Sequence, residues 1–151
     1  MSIIESPSTN LFSKIRKVHF SHCDPAGIVF FPRYLVLLND LIEDWFNEAL
    51  HVDYTELITV RKIGLPTVRL ECDFLSPGAF GTTIEWQLSV ERIGNSSIAL
   101  VVHGLADGVR RFKLRTVLVT TGGHQGGSIP LPADLREALL RFRGEQESSG
   151  D

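Results

Sequence analysis

The chain is poor in cysteine: Cys23 and Cys72 are the only two among 151 residues. Two cysteines make no disulfide framework, and their spacing fits no zinc finger, so reduced thiols are expected. Positive charge is not in excess either. Fifteen Lys and Arg stand against 18 Asp and Glu, for a net charge of -3. That removes the electrostatic basis for sequence-independent binding to nucleic acid or to an anionic membrane. No segment approaches the roughly 20 consecutive apolar residues of a membrane span. Met1 to Leu11 lacks the basic start and long apolar run of a secretory signal. A soluble, cytoplasmic protein is expected, in which the acceptor-like Asn95-Ser96-Ser97 carries no glycan. Internal repeats and interdomain linkers are also missing. One domain over residues 1–151 is expected, with residues 1–11 and 144–151 as frayed ends.

With 43% hydrophobic and 22% charged residues, the chain can bury a sizeable core. Lys14 to His22 reads as a strand, with Val18, Phe20 and His22 on one face. The turn-forming Cys23-Asp24-Pro25-Ala26-Gly27 follows, and Pro32 marks a place where a helix can begin. Arg33 to Leu50 reads as a helix. Leu38, Leu41, Ile42, Trp45, Phe46 and Ala49 alternate with polar residues at a period of about 3.6. Leu35, Val36 and Leu37 make its first turns apolar nearly all round, which predicts heavy burial at that end.

An irregular stretch precedes four strands. Val68, Leu70, Cys72 and Phe74 alternate with charges, as do Ile84, Trp86, Leu88 and Val90 with polar residues. Ser97 to Leu105 is apolar enough to be covered on both faces, and Val109 to Thr121 is a long final strand. Gly94-Asn95 and Asp107-Gly108 suit tight hairpins. A glycine-rich connection over residues 122–127 leads to a closing helix from Leu131 to Phe142, entered through Pro132. One long helix must bury its stripe on the only sheet available. The fold class is therefore α+β, a curved antiparallel sheet around one central helix.

The stretch from Phe20 to Tyr34 holds the chemistry. Asp24 sits in a turn between strand and helix, and Gly27 permits close backbone approach. The helix start brings unpaired N–H groups and a positive dipole end. A carboxylate beside an anion-favouring helix terminus suits acyl transfer, the first attacking or activating water and the second holding an oxyanion. The same residues also suit a plain Asp-capped turn.

Cys23-Asp24-Pro25-Ala26-Gly27-Ile28-Val29, followed by Pro32 and Tyr34, resembles the signature of the 4-hydroxybenzoyl-CoA thioesterase family, of the hotdog-fold superfamily. Gly64-Leu65-Pro66, Ser76-Pro77 and the run from Val90 to Ser97 extend the likeness over residues 15 to 121. The resemblance implies hydrolysis of acyl-CoA thioesters without metal or redox cofactor. Asp24 takes the place of the nucleophile or general base, and the Phe31 backbone N–H that of the oxyanion donor. Phe30 and Tyr34 would line an acyl pocket beside Gly27, taking an aromatic or short- to medium-chain acyl group. The family forms homodimers with shared sites, often paired again into tetramers. His22 stands where some members carry a second acid; it is either a modulator of Asp24 or a satisfied strand-end histidine. Asn39 stands where hydroxybenzoyl enzymes carry an acid that seats the ring, a departure bearing on the acyl group. CoA phosphates need cations. Arg92 matches the family's basic turn in part, while Arg111 and Lys113 alternate with Arg115 on one strand face; Arg110 and Arg69 are further candidates.

Other readings have less behind them. His19, His22 and Asp24 invite a metal, but on a strand His19 and His22 would face opposite ways. Cys23 has no activating partner. Glu43 is a reserve carboxylate on the polar helix face. An acyl-thioester hydratase or dehydratase using His22 with Asp24, and a non-catalytic acyl-CoA binding module, are the alternatives on the same fold.

Overall fold

A computed structural model describes residues 10–122 and 126–144. Strand β1 (Phe12–Lys17) leads through a 3-10 turn (Phe20–His22) to helix α1 (Phe31–Trp45), which runs on as a π-helical turn (Phe46–Leu50). Helix α2 (Tyr54–Thr59) and the short β2 (Ile63–Gly64) precede β3 (Thr67–Phe74), β4 (Thr83–Ile93), β5 (Ser97–Ala106) and β6 (Val109–Val119). The short β7 (Thr121–Gly122) pairs with β2, and α3 (Ala133–Arg143) closes the described chain. The main sheet is antiparallel, in the order β1-β4-β5-β6-β3. This is the expected curved sheet with one long helix.

The helix stripe and one sheet face make the core. Leu38, Leu41, Ile42, Trp45 and Phe46 are buried with Ile84, Trp86 and Leu88 of β4, Ile98, Leu100 and Val102 of β5, and Phe112 and Leu114 of β6. Each such side chain contributes about 1.5–3 kcal/mol on full burial. α3 adds Leu135 and Leu139 to the same cluster. The β5–β6 hairpin turns through Asp107 and Gly108, both at positive φ (54° and 74°), as a two-residue Asp-Gly loop requires. Gly104 of β5 lies opposite Phe112 of β6, and its Cα leaves the room that the Phe112 ring occupies.

Several boundaries differ from the sequence reading. The first strand covers Phe12–Lys17, not residues 14–22. After Val18 the chain tightens into the 3-10 turn, closed by His19 N–H donating to His22 Nδ1 at 2.9 Å. His19 and His22 consequently do not point apart as on a strand. Their rings stack at 5.1 Å, and among the described residues no group of three metal-binding side chains forms. α1 begins at Phe31, with Pro32 in its first turn, and ends in the π turn before His51, which stands in the left-handed region at φ 58°. Burial within α1 is also opposite to expectation. One side of its first two turns is open, with Phe31 57% and Val36 52% exposed, because no layer of the described residues covers it; the far end is buried. β5 is fully covered on one face only, alternating buried and half-buried residues. The stretch read as irregular contains α2, capped by Asp53 Oδ1, which accepts from Glu56 N–H at 3.0 Å, and β2. The last long strand stops at Val119, and the closing helix starts at Ala133, with Pro132 as its N-cap. Of the ends expected to fray, residues 1–9 and 145–151 lie outside the described residues, as do residues 123–125 of the glycine-rich connection. Asn10 is held by its Nδ2 donating to Phe142 O at 2.8 Å.

Candidate active site

Asp24 is built into a closed turn. Its N–H donates to Ile28 O at 3.0 Å, and its carbonyl accepts from Gly27 N–H at 2.9 Å. Its carboxylate Oδ1 accepts from Ala26 N–H at 2.8 Å. Gly27 makes this turn with φ +79°, a conformation that a Cβ disfavours. The turn is tied to the β3–β4 connection, since Val29 N–H donates to Gly78 O and Phe80 N–H to Gly27 O, both at 2.9 Å. The turn-capping reading of Asp24 is thus present. It uses one carboxylate oxygen and leaves Oδ2 without a hydrogen bond to any described residue.

The chain next enters α1. Phe30 N–H is used, donating to His22 O at 2.9 Å. Phe31 is the first helical residue, so its N–H has no intrahelical acceptor. None of the described residues accepts from it. The positive end of the helix dipole adds to the anion preference there.

Asp24, Phe30, Phe31 and Tyr34 line one cavity of about 490 Å³, together with Ile28, Val29 and the segment from Phe74 to Gly78. Its walls are mostly apolar and aromatic. Tyr34 is buried at 4% exposure, its ring 5.8 Å from that of Phe74 and 4.8 Å from that of Phe112. Burial raises the Tyr34 phenol above its usual pKa, against a smaller lowering by the charge of Arg111. The phenol is therefore protonated at neutral pH. Gly27 instead lines a second cavity of about 400 Å³ on the other side of Asp24, with Phe20, Cys23, Pro25 and Phe80.

The remaining sequence candidates are spread around the molecule. His22 faces a third, polar cavity with His19, Arg16, Lys17, Asp40, Glu43 and Asp44. Burial, then the charges of His19 and Arg33, lower its pKa, so it is neutral at pH 7. Asn39 lies on the exposed side of α1. Arg92 sits in a surface groove of the sheet with Arg69, Glu71, Glu91 and Arg115. There Arg115 is engaged by Glu91 at 3.0 Å and Glu71 at 3.5 Å, and Arg69 by Glu71 at 3.0 Å. Lys113 is half-buried on β6 opposite His103 and Asp73. Arg111 reaches the main cavity's wall, its Nη1 donating to Ser76 Oγ at 3.4 Å and Pro77 O at 3.5 Å.

Sequence reasoning missed that wall from Phe74 to Gly78. One signal was available: a glycine after Ser76-Pro77. A Cβ on Gly78 would stand 2.5 Å from the Tyr34 hydroxyl, so a larger residue closes the space that the phenol uses.

Comparison with known proteins bears on the family and the fold. The family model described as Thioesterase-like superfamily matches residues 18–139. A 1,4-dihydroxy-2-naphthoyl-CoA hydrolase of Synechocystis sp. is 28% identical over 79 residues, 52% of this chain and 56% of the relative. The match therefore spans about half the length of that curated relative. Among solved structures, a gentisyl-coenzyme A thioesterase superposes with a TM-score of 0.77 at 26% identity, over 85% of this chain and 99% of that one. A thioesterase-superfamily protein of Jannaschia sp. CCS1 gives 0.81 at 28% identity, over 92% and 97%. By its sheet, its central helix and the family model that spans most of it, this chain belongs to the Thioesterase-like superfamily and has the hotdog fold.

Proposed function

We propose that this protein hydrolyses the thioester of an acyl-CoA, with Asp24 and the Phe31 N–H as its reacting groups. The observation that carries the reading is that a half-free carboxylate and an unpaired helix N-terminal N–H line one apolar cavity. The thioester carbonyl oxygen lies at the Phe31 N–H, which takes up negative charge as the carbon becomes tetrahedral. Asp24 then acts in one of two ways. It attacks the carbonyl carbon, the C–S bond breaks, CoA leaves as thiolate, and water cleaves the acyl-aspartyl anhydride. Alternatively it takes a proton from water, whose oxygen attacks directly. Either route yields free acid and CoA and needs no electron acceptor.

The aromatic lining favours an aromatic acyl group, in keeping with the aromatic substrates named for two of the relatives above. Arg92 and Lys113, which have no carboxylate partner among the described residues, are the candidates for CoA phosphates. A second copy of this chain covers the open side of the site. Val68, Leu70 and Phe74 on edge strand β3 are 61%, 39% and 48% exposed beside the open end of α1, an apolar edge of the kind that pairs. Such dimers pair again into the tetramers that the family likeness implies.

The test is thiol release from benzoyl-, 4-hydroxybenzoyl-, phenylacetyl- and straight-chain acyl-CoAs. Asp24→Asn should keep the fold and lower kcat by about 10²–10⁴-fold. Turnover at the wild-type rate in Asp24→Asn removes Asp24 from the mechanism. Acyl-CoA consumed without thiol release points to a dehydratase, and a tight complex without turnover to a binding module. The dehydratase pairing of His22 with Asp24 has little support, since the His22 side chain faces a different cavity.

A further inference from the structure

His22 stands between the two reacting groups of the site in the hydrogen-bond network. Its ring Nδ1 accepts from His19 N–H at 2.9 Å. Its carbonyl accepts from Phe30 N–H, also at 2.9 Å. The first bond closes the 3-10 turn, beside the backbone bonds from His22 N–H to His19 O at 2.9 Å and from Cys23 N–H to Phe20 O at 3.1 Å. Asp24 leaves this turn on one side, and the second bond holds the residue before Phe31 on the other. The carboxylate and the N–H at the helix start are thus both anchored through His22. Its ring lines the polar cavity rather than the Asp24 cavity, so it serves neither as a reacting group nor as a wall of the acyl pocket.

An imidazole nitrogen accepts a hydrogen bond only while it carries no proton, and in the imidazolium both nitrogens donate. The bond from His19 N–H therefore requires a neutral His22 ring with its hydrogen on Nε2. The charged and titratable groups around that ring are Arg16 and Lys17 of β1, the His19 ring stacked on it at 5.1 Å, Arg33 in the first turn of α1, and Asp40, Glu43 and Asp44 farther along α1. Asp44 is paired with Arg16. Asp40 and Glu43 attract a proton, but burial first, then His19 and Arg33, prevail and hold the ring below the ordinary imidazole pKa of 6.5. A proton on Nδ1 would set donor against donor at the His19 N–H. The turn would lose its side-chain closure, and the Asp24 carboxylate its fixed place relative to α1. A displacement of about 1 Å in a reacting group can cost about 10²-fold in rate. We infer that His22 is a positioning residue whose neutral ring, through Nδ1, holds Asp24 in register with the start of α1. The inference rests on the thioesterase reading and adds to it a residue that governs the rate through the turn alone.

The experiment is the pH dependence of acyl-CoA hydrolysis by the wild type, His22→Asn, His22→Gln and His22→Ala, together with nitrogen NMR of the histidine rings in the wild type. Asparagine puts an acceptor oxygen where Nδ1 stands and does not titrate; glutamine puts its amide nearer the place of Nε2. His22→Gln and His22→Ala should lower kcat by about ten- to a hundredfold with KM nearly unchanged, and His22→Asn should recover most of that loss. Wild-type kcat should fall below about pH 6.5 in a step that His22→Asn lacks, leaving that variant only the step of the carboxylate at lower pH. At about pH 7.5 the His22 ring should carry its proton on Nε2, with Nδ1 bare. A proton on Nδ1 overturns the inference while leaving the thioesterase reading intact. So do wild-type kcat in His22→Gln, a loss that His22→Asn does not recover, or one acid limb shared by the wild type and His22→Asn. No thiol release from any acyl-CoA at any pH overturns the thioesterase reading itself, and the inference with it.

Discussion

His22 and His103 are both held below the ordinary imidazole pKa of 6.5, first by burial and then by neighbouring positive charge. For His22 that charge comes from His19 and Arg33, and for His103 from Arg110 and Lys113. A folded pKa below the unfolded one means that the unfolded chain binds the proton first as pH falls. The stability due to the neutral rings is therefore complete above about pH 6.5 and is lost as pH drops through the lowered folded values. Melting temperatures should fall between about pH 7.5 and about pH 5.5, and His103→Gln should flatten that fall. A wild-type melting temperature that is constant across this range contradicts the argument. At this scale the sequence was readable where chemistry is contiguous. Asp24, Gly27, Phe31 and Tyr34 fall in one stretch, so a motif holds them all. The bonds of Arg111 to Ser76 and Pro77 were not readable, because they depend on where the β3–β4 connection runs in space.

β5 and β6 form the middle of the sheet, and Gly104 is the position where their packing is tightest. An added Cβ would stand 2.1 Å from the Phe112 ring, inside the aromatic cluster that also seats Tyr34. Gly104→Ala should destabilise the protein by about 1–3 kcal/mol, read as a lower urea midpoint at unchanged slope. Gly127→Ala, where an added Cβ meets nothing, is the control; equal midpoints for the two variants would show that the ring moves aside freely. Elements with long, regular patterns were legible. β3, β4 and the body of α1 follow from their period-2 and period-3.6 spacing of apolar residues, and β5 from its unbroken apolar run, which did not reveal that only one of its faces is fully covered. α2 was not, since its six residues cannot display a period. The strand read over residues 14–22 ran too far because the alternation of Val18, Phe20 and His22 continues into a 3-10 turn, where only the hydrogen bond to His22 Nδ1 marks the end.

Across the whole molecule, much of the exposed apolar surface is gathered on one side. The open turn of α1 and the apolar side of β3 lie on the same side of the chain, since the Phe31 and Phe74 rings are 6.0 Å apart. A single copy leaves both in water. Light scattering should find the wild type as a dimer or a multiple of it, and Val68→Lys with Leu70→Lys should give monomers with much weaker thioesterase activity. A monomeric, fully active wild type removes the shared site. The expectation of a buried α1 start rested on a pattern apolar all round, and such a pattern does not say which side of a helix the sheet covers. The two edges of the sheet differ in one further respect. At β1, Lys14 and Arg16 sit on the side that faces α1, bonded to Glu48 and Asp44, and inward charges of this kind blunt an edge against strand addition. β3 has no such guard on its apolar side. A sheet that accepts a neighbour at one margin only, through a patch that matches itself, is saturated after a single addition. A dimer joined at β3, as proposed above, would be kept from growing into an open filament by the ionic pairs at the opposite margin.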